Sequence, residues 1–156
     1  MAEEIRETRM ADTVFVPEQG EKLLREIRAD RAVYLRDHAV MAALGMVVAW
    51  VVLTLIGSDH AAIGALGAVL ALIVRGLWLY SEQMKFRWVL SNMRLVGPGG
   101  RQVYLLELDK ARRLFSDIQL VTKAGDKHLI KHVADAGALV AEIDAARDKR
   151  AKRRGA

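Results

Sequence analysis

Long apolar runs and densely charged ones alternate along the chain. Residues 39–57 read AVMAALGMVVAWVVLTLIG, 19 residues without a charge. As a helix this run spans about 28 Å, against a hydrocarbon core of about 30 Å. Residues 61–80 read AAIGALGAVLALIVRGLWLY, in which Arg75 is the one charge. Only Ser58, Asp59 and His60 separate the two runs. Neither run offers a polar face to water, so the pattern predicts a transmembrane helical hairpin over 39–80 rather than a soluble one.

The flanks follow different periods. Residues 18–36 place Leu23, Leu24, Ile27, Ala32 and Leu35 at roughly helical spacing among charges, just after Pro17. This predicts an amphipathic juxtamembrane helix over 18–38, or else a plain solvated linker helix, preceded by a polar segment over 1–17. Beyond residue 80 the period becomes two: Met84, Phe86, Trp88 and Leu90 alternate with Lys85, Arg87, Val89 and Ser91. Further strands are predicted over 93–96, 102–108, 112–116, 118–123 and 127–133. The turns between them fall at Ser91-Asn92, at Gly97-Pro98-Gly99-Gly100 and at Ala124-Gly125-Asp126. Residues 102–108 are apolar on both faces and are expected at the centre of the sheet. Asp135 then opens a helix as an N-cap, with Leu139, Val140 and Ile143 on one face. The expected fold is a membrane α-hairpin plus a small α+β domain over 81–146. That domain would be a barrel or sheet of about six short strands capped by a C-terminal helix. A basic tail over 147–156 follows.

Charge distribution orients this hairpin. Basic residues before the first run (Lys22, Arg25, Arg28, Arg31, Arg36) and after the second (Lys85, Arg87, Arg94) contrast with a connecting loop that has none. Both termini are therefore expected on the cytoplasmic side of the inner membrane, with a multi-pass topology. Tyr34, Trp78, Tyr80 and Trp88 fit an aromatic belt at that interface. The chain is 53% apolar and 28% charged, and its net charge of +5 is matched by the last ten residues alone, which hold six basic side chains and one acidic. A basic tail of this kind is a local feature and does not make nucleic acid an expected partner. There is no cysteine, hence no disulfide, thiolate metal site or cysteine nucleophile. The acidic, polar start of the chain does not have the form of a signal peptide.

Within the apolar runs, small residues recur at four-residue spacing: Gly45 and Ala49 in the first, Gly64 and Ala68, and Gly67 and Ala71, in the second. Such spacing lets helix backbones approach closely, either inside the hairpin or against another membrane protein. An arginine at the bilayer centre costs about 3 kcal/mol. Arg75 is close enough to Tyr80 for its stem to snorkel to the headgroups. The alternatives are an ion pair with a partner subunit or with a lipid phosphate.

The order of short motifs resembles a family: bacterial pleckstrin-homology-like domains fused to a two-helix transmembrane hairpin. The matching residues are Gly20-Glu21 before the hairpin and Ser91-Asn92-Met93-Arg94-Leu95 after it. Gly99-Gly100-Arg101, Glu107-Leu108-Asp109-Lys110-Ala111 and the helix from Asp135 follow. Residues 15–146 are covered. Ala136 stands where that family often has proline, and the strand region between 112 and 127 is shorter than usual. The resemblance implies a membrane-tethered interaction domain without catalytic residues, related to accessory and assembly factors of large membrane complexes.

Catalytic chemistry finds no support in the sequence. His128 and His132 are four apart but lie in an expected strand with no third ligand nearby. The Gly97–Gly100 turn is not followed by the lysine-serine helix start of a phosphate loop. No acid–base pair has defensible geometry, and no cofactor or metal is expected. The basic set Lys85, Arg87, Arg94, Arg112 and Arg113, with Arg75, supplies candidate contacts to membrane lipids or to a protein partner. The expected function is that of a non-enzymatic accessory, scaffold or assembly protein, working in a larger membrane complex or as a homo-oligomer. The alternative is an anionic-lipid-binding module at the membrane surface.

Overall fold

The computed structural model describes residue 13 and residues 15–155; most of the polar segment expected over 1–17, and residue 156 of the tail, lie outside the described residues. The chain divides into two compact units. One is the continuous stretch 31–83. The other combines the described residues up to 30 with those from 84 onward.

The first unit is a helical hairpin of α1 (Arg31–Leu55) and α2 (Ala61–Gln83). Both helices are long and apolar enough to cross a membrane. Helix α1 ends in a left-handed glycine: Gly57, at φ +74°, donates its N–H to the Thr54 carbonyl, and Ser58 donates to that of Leu53. This pair of bonds satisfies carbonyls that the helix end leaves open, and the glycine adopts positive φ without a Cβ penalty. The apolar runs over 39–57 and 61–80 fall on these helices, but α1 begins eight residues before the first run, at Arg31.

The second unit holds seven strands: β1 (Leu23–Arg28), β2 (Arg87–Ser91), β3 (Arg94–Val96), β4 (Gln102–Tyr104), β5 (Leu108–Leu114), β6 (Asp117–Thr122) and β7 (Lys127–Ile130). They form two antiparallel sheets, ordered β1-β2-β3-β4 and β5-β6-β7. No strand ladder joins the sheets among the described residues, so there is no closed barrel. Helix α3 (Ala136–Gly155) packs on β5 and β6. Asp135 caps it, its carboxylate accepting the Ala138 N–H at 2.9 Å. Leu139, Ile143 and Ala146, at four- and three-residue spacing, are buried. They close one core with Ile27, Trp88, Leu90, Leu95, Val103, Leu105, Ile118, Leu120 and Ile130 from the strands and turns.

Three expectations are corrected. The amphipathic helix over 18–38 does not form. Its first half is strand β1, paired antiparallel with β2 (Ile27 opposite Trp88, Arg28 opposite Arg87), and its second half belongs to α1. Only Ile27 of β1 is buried, so pairing with β2 rather than an apolar stripe decides its conformation. Residues 102–108 are not a central strand. The Glu107 N–H bonds the Tyr104 carbonyl and breaks the run into a turn, which leaves β4 at the sheet edge. Val103, Leu105 and Leu108 point into the core, and this turn carries the chain from one sheet to the other. Finally, the basic segment 147–156 is no separate tail: it continues α3 as far as Gly155.

Candidate functional site

The motif residues that flank the hairpin in sequence meet in space. Gly20, at φ +78°, turns the chain so that Glu21 enters the strand unit with no exposed side-chain surface. The tight Ser91-Asn92-Met93 turn between β2 and β3 presents Arg94, whose side chain is 8% exposed. Arg94 Nε donates to Glu21 Oε1 at 3.2 Å, and its Nη2 donates to Glu21 Oε2 at 3.0 Å and to the Val16 carbonyl at 3.0 Å. Its Nη1 donates to Glu18 Oε1 at 2.5 Å and to Gln102 Oε1 at 3.0 Å. All five donors of the guanidinium fork are thus used, and the cation also lies 5.9 Å from the centre of the Tyr104 ring.

The carboxylate is equally satisfied. Glu21 Oε1 accepts from the Ser91 hydroxyl at 2.6 Å and Oε2 from the Glu18 N–H at 2.8 Å, besides Arg94. Burial pushes the Glu21 carboxyl up, but the bonds from Ser91 and the Glu18 backbone, with the Arg94 charge, outweigh it and hold the group below the ordinary glutamate range. Asn92 completes the junction: its Oδ1 accepts the Lys22 N–H at 2.6 Å and its Nδ2 donates to the Gly20 carbonyl at 3.2 Å. The short motifs Gly20-Glu21 and Ser91-Asn92-Met93-Arg94 are therefore the two halves of one buried polar weld.

The expected contact residues separate into classes. Arg94 is internal and occupied. Arg87 is half-buried, bonding Glu26 at 3.2 Å and the Thr13 carbonyl at 2.9 Å, while the Thr13 hydroxyl donates to the Arg87 carbonyl. Arg112 and Arg113 are exposed on β5 and bond Gln119 and the Phe115 carbonyl, each at 2.8 Å. Lys85 is exposed. Arg75 is exposed on α2 and has no side-chain partner among the described residues.

The small residues divide as well. A Cβ at Gly45 would lie 2.7 Å from Leu72 Cδ1, and one at Gly64 would collide with Leu53 Cδ1, so both glycines receive the opposite helix. Ala49 and Ala68 are half-buried. Gly67 meets nothing within 4 Å, and Ala71 is exposed. Gly76 was not anticipated. A Cβ there would come within 2.8 Å of the His38 ring, and its carbonyl accepts the buried Tyr34 hydroxyl at 2.7 Å. The signal was present, since the four-residue ladder from Gly64 through Ala68 and Leu72 runs on to Gly76.

His128 sits on β7 with its ring 6.5 Å from that of Trp88, and His132 follows the strand at φ +53°. Among the described residues no three His, Asp or Glu side chains are placed to hold a metal ion. No family model, curated protein or solved structure matches the chain significantly.

Proposed function

We propose that the chain is a non-enzymatic accessory, scaffold or assembly protein of a membrane complex. In this reading α1 and α2 cross the inner membrane with both termini cytoplasmic, and the strand unit is a pleckstrin-homology-like domain that contacts a partner. Seven strands in two sheets around one core, capped by a C-terminal helix, support the domain reading. The exposed apolar side chains of the hairpin, such as Leu44, Val48, Leu55, Ile63, Val74 and Leu77, support the membrane reading.

The observation that carries the function is Arg75. It follows Gly67 and Ala71 at four-residue spacing on α2, all three exposed, and nothing neutralises it among the described residues. A membrane carboxylate docked on the two small residues would neutralise that charge at low desolvation cost. Gentle detergent extraction from native membranes, then native gels and mass spectrometry, tests this. The wild-type chain should migrate with a partner and Arg75→Leu should not. A chain that always runs alone sinks the proposal.

A second reading, contact with an anionic membrane surface, has its own support at the turn between β5 and β6. Phe115 there is 87% exposed and held at φ +56°, a strained conformation for an aromatic residue. Leu114 beside it is 43% exposed, and Arg112 and Arg113 precede them. The Ser116 carbonyl bonds the Val133 N–H and the His132 carbonyl bonds the Asp30 N–H, which sets this turn at the end of the strand unit where the chain leaves for α1. Because the chain has no cysteine, a dye on Phe115→Cys reports on this site alone. Its emission should shift to the blue in nanodiscs containing phosphatidylglycerol relative to detergent, and an unchanged spectrum rejects lipid contact.

A further inference from the structure

A cleft of about 470 Å³ opens between the start of β1, the turn after β2 and the last turns of α3. Lys22, Lys149, Arg150 and Arg153 line it, with Leu24, Ala145 and Ala146 as its apolar wall. Glu142 is the one carboxylate of the lining, and Arg25 already pairs with it at 2.6 Å.

Three features separate this cleft from an ordinary solvated basic face. First, four cations that have no side-chain acceptor among the described residues converge on one cleft. Second, the positive charge comes from two separate parts of the chain. The helix dipole accounts for Arg153 in the last turn of α3, but not for Lys22, which lies just before β1. Third, one wall is fixed. The Lys22 backbone is held by Asn92 on both its N–H, at 2.6 Å, and its carbonyl, at 3.0 Å, directly beside the Glu21–Arg94 weld. On α3, residues 142, 145, 146, 149, 150 and 153 recur at three- and four-residue spacing, so the helix turns one face to the cleft. Like charges at that spacing repel, and a bound anion relieves the repulsion.

We propose that this cleft binds a phosphate-bearing anion. The two arginine forks engage phosphoryl oxygens, the two lysines act as point charges, and the apolar wall accepts the organic part of the ligand. This inference uses neither Arg75 nor the β5–β6 turn and does not rest on the assembly reading.

The test uses the full chain in phosphatidylcholine nanodiscs. One arm titrates sodium pyrophosphate against sodium chloride at matched ionic strength by calorimetry. A second arm measures co-flotation with phosphatidylcholine vesicles doped with phosphatidic acid. The variants are Lys22→Gln alone, the triple Lys149→Gln/Arg150→Gln/Arg153→Gln, and the control Lys152→Gln/Arg154→Gln, whose cations lie on α3 outside the cleft. Saturable pyrophosphate binding that weakens about tenfold or more in the triple variant, weakens in Lys22→Gln and persists in the control supports a soluble phosphate ligand. The same dependence seen with the vesicles alone supports a lipid headgroup. No binding in either arm, or equal losses in the triple variant and the control, overturns the proposal.

Discussion

The Glu21 carboxylate and the Arg94 guanidinium, 73 residues apart in the chain, face each other through two hydrogen bonds of 3.2 and 3.0 Å, with the entire apolar hairpin between them in sequence. Removing one partner of a buried pair strands the other's charge, which costs about 3–5 kcal/mol. Glu21→Ala and Arg94→Ala should therefore destabilise the strand unit by that order. Arg94→Lys should be nearly as damaging, because three donors replace five and cannot reach Glu18, Glu21, Gln102 and Val16 together. Denaturant melts followed by the fluorescence of buried Trp88 measure this, and a variant within about 0.5 kcal/mol of wild type would contradict the account.

Acid should act through the same pair. A carboxyl whose pKa falls on folding contributes stability that is complete above its unfolded pKa and is lost as pH drops through its folded value. Glu21 is held below the ordinary glutamate range, so the melting temperature should be flat near neutrality and fall on acidification below that range. Glu21→Gln should start lower and lose much of this acid dependence. Parallel falls in the variant and in wild type would assign the acid transition to other carboxylates.

The sequence made the weld visible as motifs but not as a contact. Gly20-Glu21 and Ser91-Asn92-Met93-Arg94 stand out by residue type and order, yet nothing in their spacing reveals that the guanidinium is fully occupied. Arg94 therefore reads as a surface cation beside Arg87. The apolar runs were legible because length and absence of charge suffice to define them. Strand β1 was not, because LLREIR buries one side chain and takes its conformation from β2, a partner on the far side of the hairpin. Local periodicity carries no information about such pairing. The C-terminal cations misled in a different way: a run of charges suggests a solvated tail, whereas Leu139, Ile143 and Ala146 anchor the helix that carries them.

A truncation follows from the topology. Residues 84–156 alone lack β1 and Glu21, so β2 would be a bare edge and Arg94 a buried charge without its main acceptor. They should not fold. Joining residues 13–30 to 84–156 through a short glycine-rich linker should instead give a soluble, folded unit, because Arg28 and Arg87 are cross-strand neighbours and a hairpin-length loop closes the gap. Amide spectra by NMR separate the outcomes: dispersed signals for the joined form and collapsed ones for residues 84–156. Dispersed signals from 84–156 alone would show β1 to be dispensable.

The two glycine classes of the hairpin give the last test. Gly45 and Gly64 each receive a leucine of the opposite helix, so Gly45→Ile and Gly64→Ile must displace Leu72 and Leu53 from their places, at about 1–3 kcal/mol for overpacking. Gly67 has open space around it, and Gly67→Ile should leave the isolated chain as stable as wild type. If α2 docks on a partner beside Arg75, the order reverses for assembly: Gly67→Ile should strip the partner during native extraction while the chain itself remains folded. Thermal stability of the purified chain and partner recovery from membranes, read on the same three variants, separate packing within the hairpin from packing against a neighbour. A Gly67→Ile chain that keeps its partner would remove this face from the interface and leave Arg75 to the headgroups.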